Sequence, residues 1–120
     1  MTVRYEKGAK DTRPWGTWEV VDAGETYVVK RIVVDAGQKL SLQSHDHRNE
    51  HWVVARGTAE ITLGEKVFAA PADTAVFIPV KTKHRVRNPG TEPLVFIEVQ
   101  TGETLDENDI TRYEDDYGRV

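Results

Sequence analysis

Short runs rich in valine, threonine, isoleucine and phenylalanine recur along most of this chain, each closed by a turn former, and nothing else limits the fold as much. Trp15–Val21, Thr26–Val34, Glu50–Ala55, Ala59–Leu63, Thr74–Ile78, His84–Arg87 and Leu94–Val99 read as strands. Glycine, proline, aspartate or asparagine interrupts them at Asp22–Gly24, Asp35–Gly37, Gly57, Gly64, Pro71, Pro79 and Asn88–Gly90. Many short strands at turn-marked spacing make a sandwich or a barrel, so the predicted class is all-β. Helical patterning is poor until Asp106–Asp116, where Leu105, Ile110 and Tyr113 give a modest apolar edge and a short helical segment is expected. A chain of 120 residues has room for one domain, expected over 1–120. It can bury about two-thirds of its unfolded surface, enough to fold without staples.

Composition removes several chemistries. There is no cysteine, which excludes disulfides, thiolate-bound zinc, iron–sulfur clusters and a cysteine nucleophile. The N-terminal charges Arg4, Glu6, Lys7 and Lys10 are followed by no apolar run, so neither a signal peptide nor a membrane span is expected, and the cytoplasm is the expected location. A formal charge of −4, from 20 acidic and 16 basic residues, argues against non-specific nucleic-acid binding. The basic residues are unevenly placed. Lys81, Lys83, Arg85 and Arg87 crowd around His84. Such a run is most often a solvated face.

Histidines stand at 45, 47, 51 and 84, the first three inside Gln43-Ser-His-Asp-His-Arg-Asn-Glu-His51. Strand alternation would put Gln43, His45 and His47 on one face and His51 off it. Imidazole nitrogen, amide oxygen and carboxylate oxygen form a borderline-to-hard donor set, suited to zinc, manganese, iron, cobalt or nickel. A single His-x-His pair is as readily two surface residues. Spacing over a longer stretch changes that balance. Gly37, five residues, Gln43, one residue, His45, four residues, Glu50, six residues and Gly57 resemble the first signature of the cupins, with glutamine where that signature's first histidine stands. Asp73, Pro79, Lys81, His84 and Asn88 fall at the spacings of the second signature, which has glycine where Asp73 and Lys81 stand.

The likeness narrows to one group of cupins. Leu40-Ser-Leu-Gln-Ser-His-Asp-His-Arg-Asn-Glu-His-Trp52 resembles the C-terminal isomerase domain of type II mannose-6-phosphate isomerase / mannose-1-phosphate guanylyltransferase proteins. Arg13-Pro-Trp-Gly16, Ile97-Glu-Val-Gln-Thr-Gly102, Asp109-Ile-Thr-Arg112 and Tyr117-Gly-Arg119 are similar to that family as well. No nucleotidyltransferase phosphate loop stands upstream, so the resemblance is to the isomerase domain alone, and guanylyl transfer is not expected.

The resemblance implies a double-stranded β-helix, or jelly-roll barrel, that interconverts mannose 6-phosphate and fructose 6-phosphate. It implies one divalent metal ion per chain, zinc first, held by Gln43, His45, Glu50 and His84. One carboxylate among four ligands leaves the ion a net positive charge, and so Lewis acidity toward sugar oxygens. His47, Arg48 and Glu98 are the expected catalytic residues, His47 first as base by its predicted side. Lys81, Lys83, Arg85, Arg13 and Arg119 are the expected substrate-binding residues, the first three as charge for an anionic substrate and Arg13 and Arg119 closing over the barrel opening. Trp18 and Trp52 read as core, while Trp15 could line a mouth. Val28–Val34 is apolar on both faces, so a homodimer is expected. The competing reading is a cupin that binds a sugar or small anion without turnover, because the fold alone fixes no activity.

Overall fold

The computed structural model describes residues 4–118. The strands are β1 (Lys10–Arg13), β2 (Gly16–Ala23), β3 (Tyr27–Val34), β4 (Leu42–Ser44), β5 (Asn49–Arg56), β6 (Thr58–Leu63), β7 (Lys66–Pro71), β8 (Ala75–Ile78), β9 (His84–Arg87), β10 (Leu94–Thr101) and β11 (Thr111–Glu114). They form two antiparallel sheets, ordered β1-β2-β3-β10-β5-β8 and β11-β4-β9-β6-β7. β10 lies between β3 and β5, and β9 between β4 and β6, so the chain passes repeatedly from one sheet to the other. The result is the expected jelly roll.

Alternation along each strand decides what the barrel holds. The buried positions of β10 are Leu94, Phe96, Glu98 and Gln100, apolar first and then polar. β3 buries Val34, Ile32 and Lys30, β5 buries Val54, Trp52 and Glu50, and β9 buries Val86 and His84. In register, the apolar halves of these faces meet as one core, joined by Ile61, Ala59 and Ala70 from β6 and β7. The other halves meet as a polar interior. The site lies in that half, where Lys30 faces Glu98 and Glu50 faces Gln100 across paired strands of one sheet and His84 comes from the other sheet.

Two backbone features reinforce the spacing match. Asp73 and Lys81, the residues standing where the signature has glycine, are the non-glycine residues with positive φ among the described residues, at 74° and 60°. The turn conformation is kept although the glycines are not. At Lys81 it aims the backbone N–H at the His45 carbonyl, 2.7 Å away. A lysine in this region is strained by roughly 1 kcal/mol, so Lys81→Gly should raise stability by about 0.5–1 kcal/mol and Lys81→Val should lower it. Thermal unfolding measures both.

The expected helix over Asp106–Asp116 is not formed, and no helix occurs among the described residues. The segment makes a turn, with the Asn108 N–H donating to the Asp106 carboxylate at 2.9 Å, and then runs as β11. Aspartate and asparagine hold their own backbone in turns, and the outer edge of β4 offers a strand partner. Thr111 pairs with Ser44, and Arg112 with Gln43.

Candidate metal centre

Glu50 leads β5 into the polar half of the barrel, His84 opens β9, and His45 follows β4, which carries Gln43. The donor atoms of His45, Glu50 and His84 all lie within 4.8 Å of one another, and all three side chains are buried. His45 Nε2 is 3.3 Å from Glu50 Oε2, and His84 Nε2 is 3.5 Å from Glu50 Oε1. Two donors about 2.1 Å from one ion stand roughly 3.0–3.4 Å apart. The arrangement therefore fits a single cation.

The tautomers agree with that fit. His45 Nδ1 lies 2.7 Å from the Asp109 carbonyl, and His84 Nδ1 lies 2.9 Å from the Thr82 carbonyl. A carbonyl only accepts, so each Nδ1 carries the proton and each Nε2 presents a lone pair inward. Burial, then Arg48 and His84, lower the His45 pKa to about 3, which keeps the ring neutral. Burial opposes charge on Glu50, but the Arg48 guanidinium beside it helps hold that carboxyl below its usual range. Two inward lone pairs facing a carboxylate repel one another unless a cation sits among them. Gln43 lines the cavity that Glu50 and His84 also line, and its amide nitrogen donates to Ser41 Oγ at 2.9 Å, which leaves the amide oxygen as the atom able to serve as a ligand.

The cation nearest the cluster is Arg48, almost fully buried. Its Nε donates to Glu50 Oε2 at 3.0 Å, its Nη2 lies 3.2 Å from His45 Nε2, and its Nη1 reaches the Tyr5 hydroxyl at 3.4 Å. Glu98 stands one strand away from Glu50. Trp52 Nε1 bridges the two carboxyls, at 3.2 Å from Glu50 and 3.1 Å from Glu98, and Gln100 Nε2 donates to Glu98 at 2.8 Å. Burial first, and Glu50 next, push the Glu98 pKa up.

Other expected positions divide. Arg13 and Arg85 line the cavity. Arg85 holds the Leu40 carbonyl at 2.9 Å and the Glu114 carbonyl at 3.3 Å. Lys81 and Lys83 are exposed and do not line it; Lys83 lies over the Tyr113 ring. Arg119 lies outside the described residues. His47 is exposed and outside the cavity, contrary to the alternation argument. β4 ends at Ser44, the chain bends, and Arg48 turns inward instead. His51 is exposed on the outer face against Phe77, with ring centroids 4.8 Å apart. Trp15 and Trp52 are buried in the core, yet both, with half-buried Trp18, also line the cavity.

Sequence reasoning missed Lys30, Tyr5 and Asp109. For Lys30 a signal existed: alternation from Val28 through Ile32 and Val34 puts the lysine on the buried face. Asp109 stood in the family-like stretch Asp109-Ile-Thr-Arg112, but nothing local gave it a role, because its partners are distant in sequence. Its carboxylate accepts the backbone N–H groups of Asp46 and His47 at 2.9 and 3.0 Å, while its carbonyl holds His45. Asp109→Ala should therefore loosen the His45 turn and weaken metal binding about 10-fold, with Asp109→Asn between the two. Competition against a chelator reads this directly.

The family described as "Mannose-6-phosphate isomerase C-terminal" matches residues 3–115. The alginate biosynthesis protein AlgA of Pseudomonas putida is 52% identical over 108 residues, which are 90% of this chain and 22% of that protein. The xanthan biosynthesis protein XanB of Xanthomonas campestris pv. campestris is 51% identical over 108 residues, 90% of this chain and 23% of that one. The chain thus spans less than a quarter of these relatives. Among solved structures, a Klebsiella pneumoniae protein with a double-stranded β-helix domain superposes with a TM-score of 0.71 at 24% identity, covering 94% of this chain and 86% of that one. The Schizosaccharomyces pombe Cnp3 cupin domain does so with 0.69 at 15%, covering 72% and 64%. These likenesses establish the cupin fold. A match running from residue 3 to residue 115 takes in every strand, and with it the chain belongs to the mannose-6-phosphate isomerase C-terminal family.

Proposed function

We propose that this chain is a metal-dependent aldose–ketose isomerase that interconverts mannose 6-phosphate and fructose 6-phosphate. The observation that carries the proposal is the cluster of His45, Glu50 and His84, of which Glu50 and His84 line a cavity that also holds Glu98 and several cationic side chains. Gln43, His45, Glu50 and His84 would hold one divalent ion, zinc first. Bound there, the ion would supply Lewis acidity toward the oxygens of the two reacting carbons.

The reaction moves one proton from C2 of the aldose to C1, while the hydroxyl proton passes from O2 to O1. Glu98 is the proton carrier of this reading, since His47, Lys81 and Lys83 lie outside the cavity. Its raised pKa brings the carboxyl closer to the solution pH, where one group both takes and returns a proton effectively. Trp52 and Gln100 fix the orientation of that carboxyl. Arg48 bridges the ligand cluster and Tyr5, in place to orient an anionic substrate. A coupled assay on protein loaded in turn with zinc, cobalt, manganese, nickel or iron tests the proposal. Conversion of mannose 6-phosphate supports it. Calorimetric binding of sugar phosphate without conversion by any of these forms moves the protein to the non-catalytic, anion-binding reading.

Residues 1–120 would act as one domain, and two copies would meet through the outer face of the six-stranded sheet. There Val33, Val95, Ile97, Val53 and Phe77 lie on adjoining strands, with Val53 44% and Phe77 51% exposed. These apolar side chains adjoin one another, with Arg31 beside Ile97 held by Glu19 at the edge, so a second copy could cover them in a two-fold contact. Light scattering at micromolar concentration should give the mass of a dimer, and a monomer mass overturns this. The cytoplasm is the proposed location, with neither nucleic acid nor membrane as partner; no helix of the described residues is long and apolar enough to cross a membrane.

A further inference from the structure

Lys30 sits in the middle of β3, on the inward face it shares with Val28, Ile32 and Val34, and is only 7% exposed. The sheet register places it directly opposite Glu98 of β10. A lysine and a glutamate facing each other on neighbouring strands ordinarily pair. These two do not. Among the described residues no carboxylate oxygen lies within 4.0 Å of Lys30 Nζ. Glu98 spends its oxygens on Gln100 Nε2 and Trp52 Nε1. Lys30 Nζ lies over two aromatic faces, 3.8 Å from the Tyr5 ring centroid and 4.5 Å from that of Trp18.

Aromatic faces attract a cation but accept no conventional hydrogen bond, so the ammonium keeps donor capacity that no acceptor among the described residues takes up. Glu98 and Glu50 act on this ammonium only from beyond contact distance, and a buried ammonium with no directly paired carboxylate is stabilised when a ligand brings the opposite charge. Of the other cations lining the cavity, Arg48 contacts Glu50, Arg85 two carbonyls and Arg13 Asp11 at 3.3 Å, while Arg112 comes from β11, which pairs with β4 on the opposite sheet. Tyr5 links Lys30 to Arg48, whose guanidinium carbon lies 6.0 Å from the same ring and whose Nη1 meets its hydroxyl. An anion seated at Tyr5 would be met by two cations and a phenol.

We propose that Lys30 is the residue that holds the phosphate of the substrate, with Tyr5 and Trp18 as the wall beside it. The exposed Lys81 and Lys83 do not perform this role. The proposal rests on the reading of the cavity as a sugar-phosphate site, and it names the group that recognises the phosphate there. Methionine at position 30 keeps the length of the stem, adds no polar group to a face that is otherwise apolar, and removes the charge.

The test is calorimetry of inorganic phosphate binding to metal-loaded wild type, Lys30→Met, Lys30→Gln and Lys30→Arg. Metal content and unfolding temperature are followed alongside. Both neutral variants should bind phosphate at least about 10-fold more weakly, with metal content unchanged, and Lys30→Arg should recover part of the loss. Lys81→Met and Lys83→Met should change it less than about 2-fold. Preference for fructose 6-phosphate over fructose should fall in parallel with the phosphate loss. Wild-type phosphate affinity in either neutral variant overturns the assignment, as does a loss of kcat with phosphate affinity intact, which would place Lys30 at the reacting carbons. Because phosphate binding is read without turnover, the two proposals fail separately. A protein that never isomerises but loses phosphate in Lys30→Met keeps the Lys30 assignment and loses the isomerase reading.

Discussion

Protein carrying His45→Ala and His84→Ala together is expected to hold essentially no metal after dialysis, where the native chain is expected to hold one ion. Each imidazole contributes an Nε2 lone pair directed by a carbonyl behind its Nδ1, so each is oriented before any ion arrives. Removing both leaves Glu50 and Gln43 as donors, a single carboxylate and a neutral amide. Loss of even an orienting partner behind a ligand costs 10–100-fold in affinity, so loss of two ligands should cost on the order of 1,000-fold or more. Elemental analysis gives the stoichiometry. A second readout separates metal loss from misfolding: added metal should raise the unfolding temperature of the native chain and leave that of the double variant unmoved. If the double variant loads to native stoichiometry, the centre has been placed wrongly.

Much of the barrel is legible in the sequence because burial and alternation are local signals. The reading of His84–Arg87 as a strand matches β9, and those at Thr26–Val34 and Leu94–Val99 differ from β3 and β10 only at the ends. Four strands escaped the pattern, each for a reason. β1 is exposed along almost its whole length, so no buried face marks it. β7 buries only Ala70 fully, and β4 is three residues long. β11 exists because β4 leaves it an edge, and its own sequence carries none of that information. A strand defined by its neighbour rather than by its residues is invisible to periodicity.

The candidate site divides along the same line. Gln43, His45 and Glu50 fall within eight positions, and His84 sits in a second fixed spacing, so the cluster is visible as a pattern. His47 was misplaced because alternation holds only while a strand lasts, and β4 stops at Ser44. Past that point the backbone bends, His47 faces out, and Arg48 takes the inward direction. Lys81 and Lys83 look like phosphate ligands on charge alone. They precede β9, however, and the inward positions begin at His84. Lys30 was legible and went unread: a lysine in phase with Val28 and Ile32 is a charge inside a barrel.

Arg48→Ala should separate the metal-free protein from the loaded one more sharply than any other single substitution. In the metal-free chain Arg48 is the cation that meets Glu50 Oε2 and approaches His45 Nε2. Without it, a buried carboxylate faces two imidazole lone pairs with nothing positive between them. Removing one partner of a buried pair costs about 3–5 kcal/mol, because the other charge is left uncompensated. For a chain of this length that corresponds to a fall in unfolding temperature of roughly 10 °C or more. Metal-loaded Arg48→Ala should recover most of the loss, since the ion supplies the missing positive charge to the same atoms. Metal affinity should hold or rise, because the guanidinium no longer competes for Glu50 Oε2 and His45 Nε2. Isomerase turnover should fall by about 100-fold even when the site is full, as expected when an orienting group for an anionic substrate is removed. Unfolding followed by circular dichroism, with chelator and then with saturating metal, gives the first pair of values. If the metal-free variant unfolds at the native temperature, Arg48 is not what balances Glu50. If it instead loses the metal, Arg48 belongs to the centre itself.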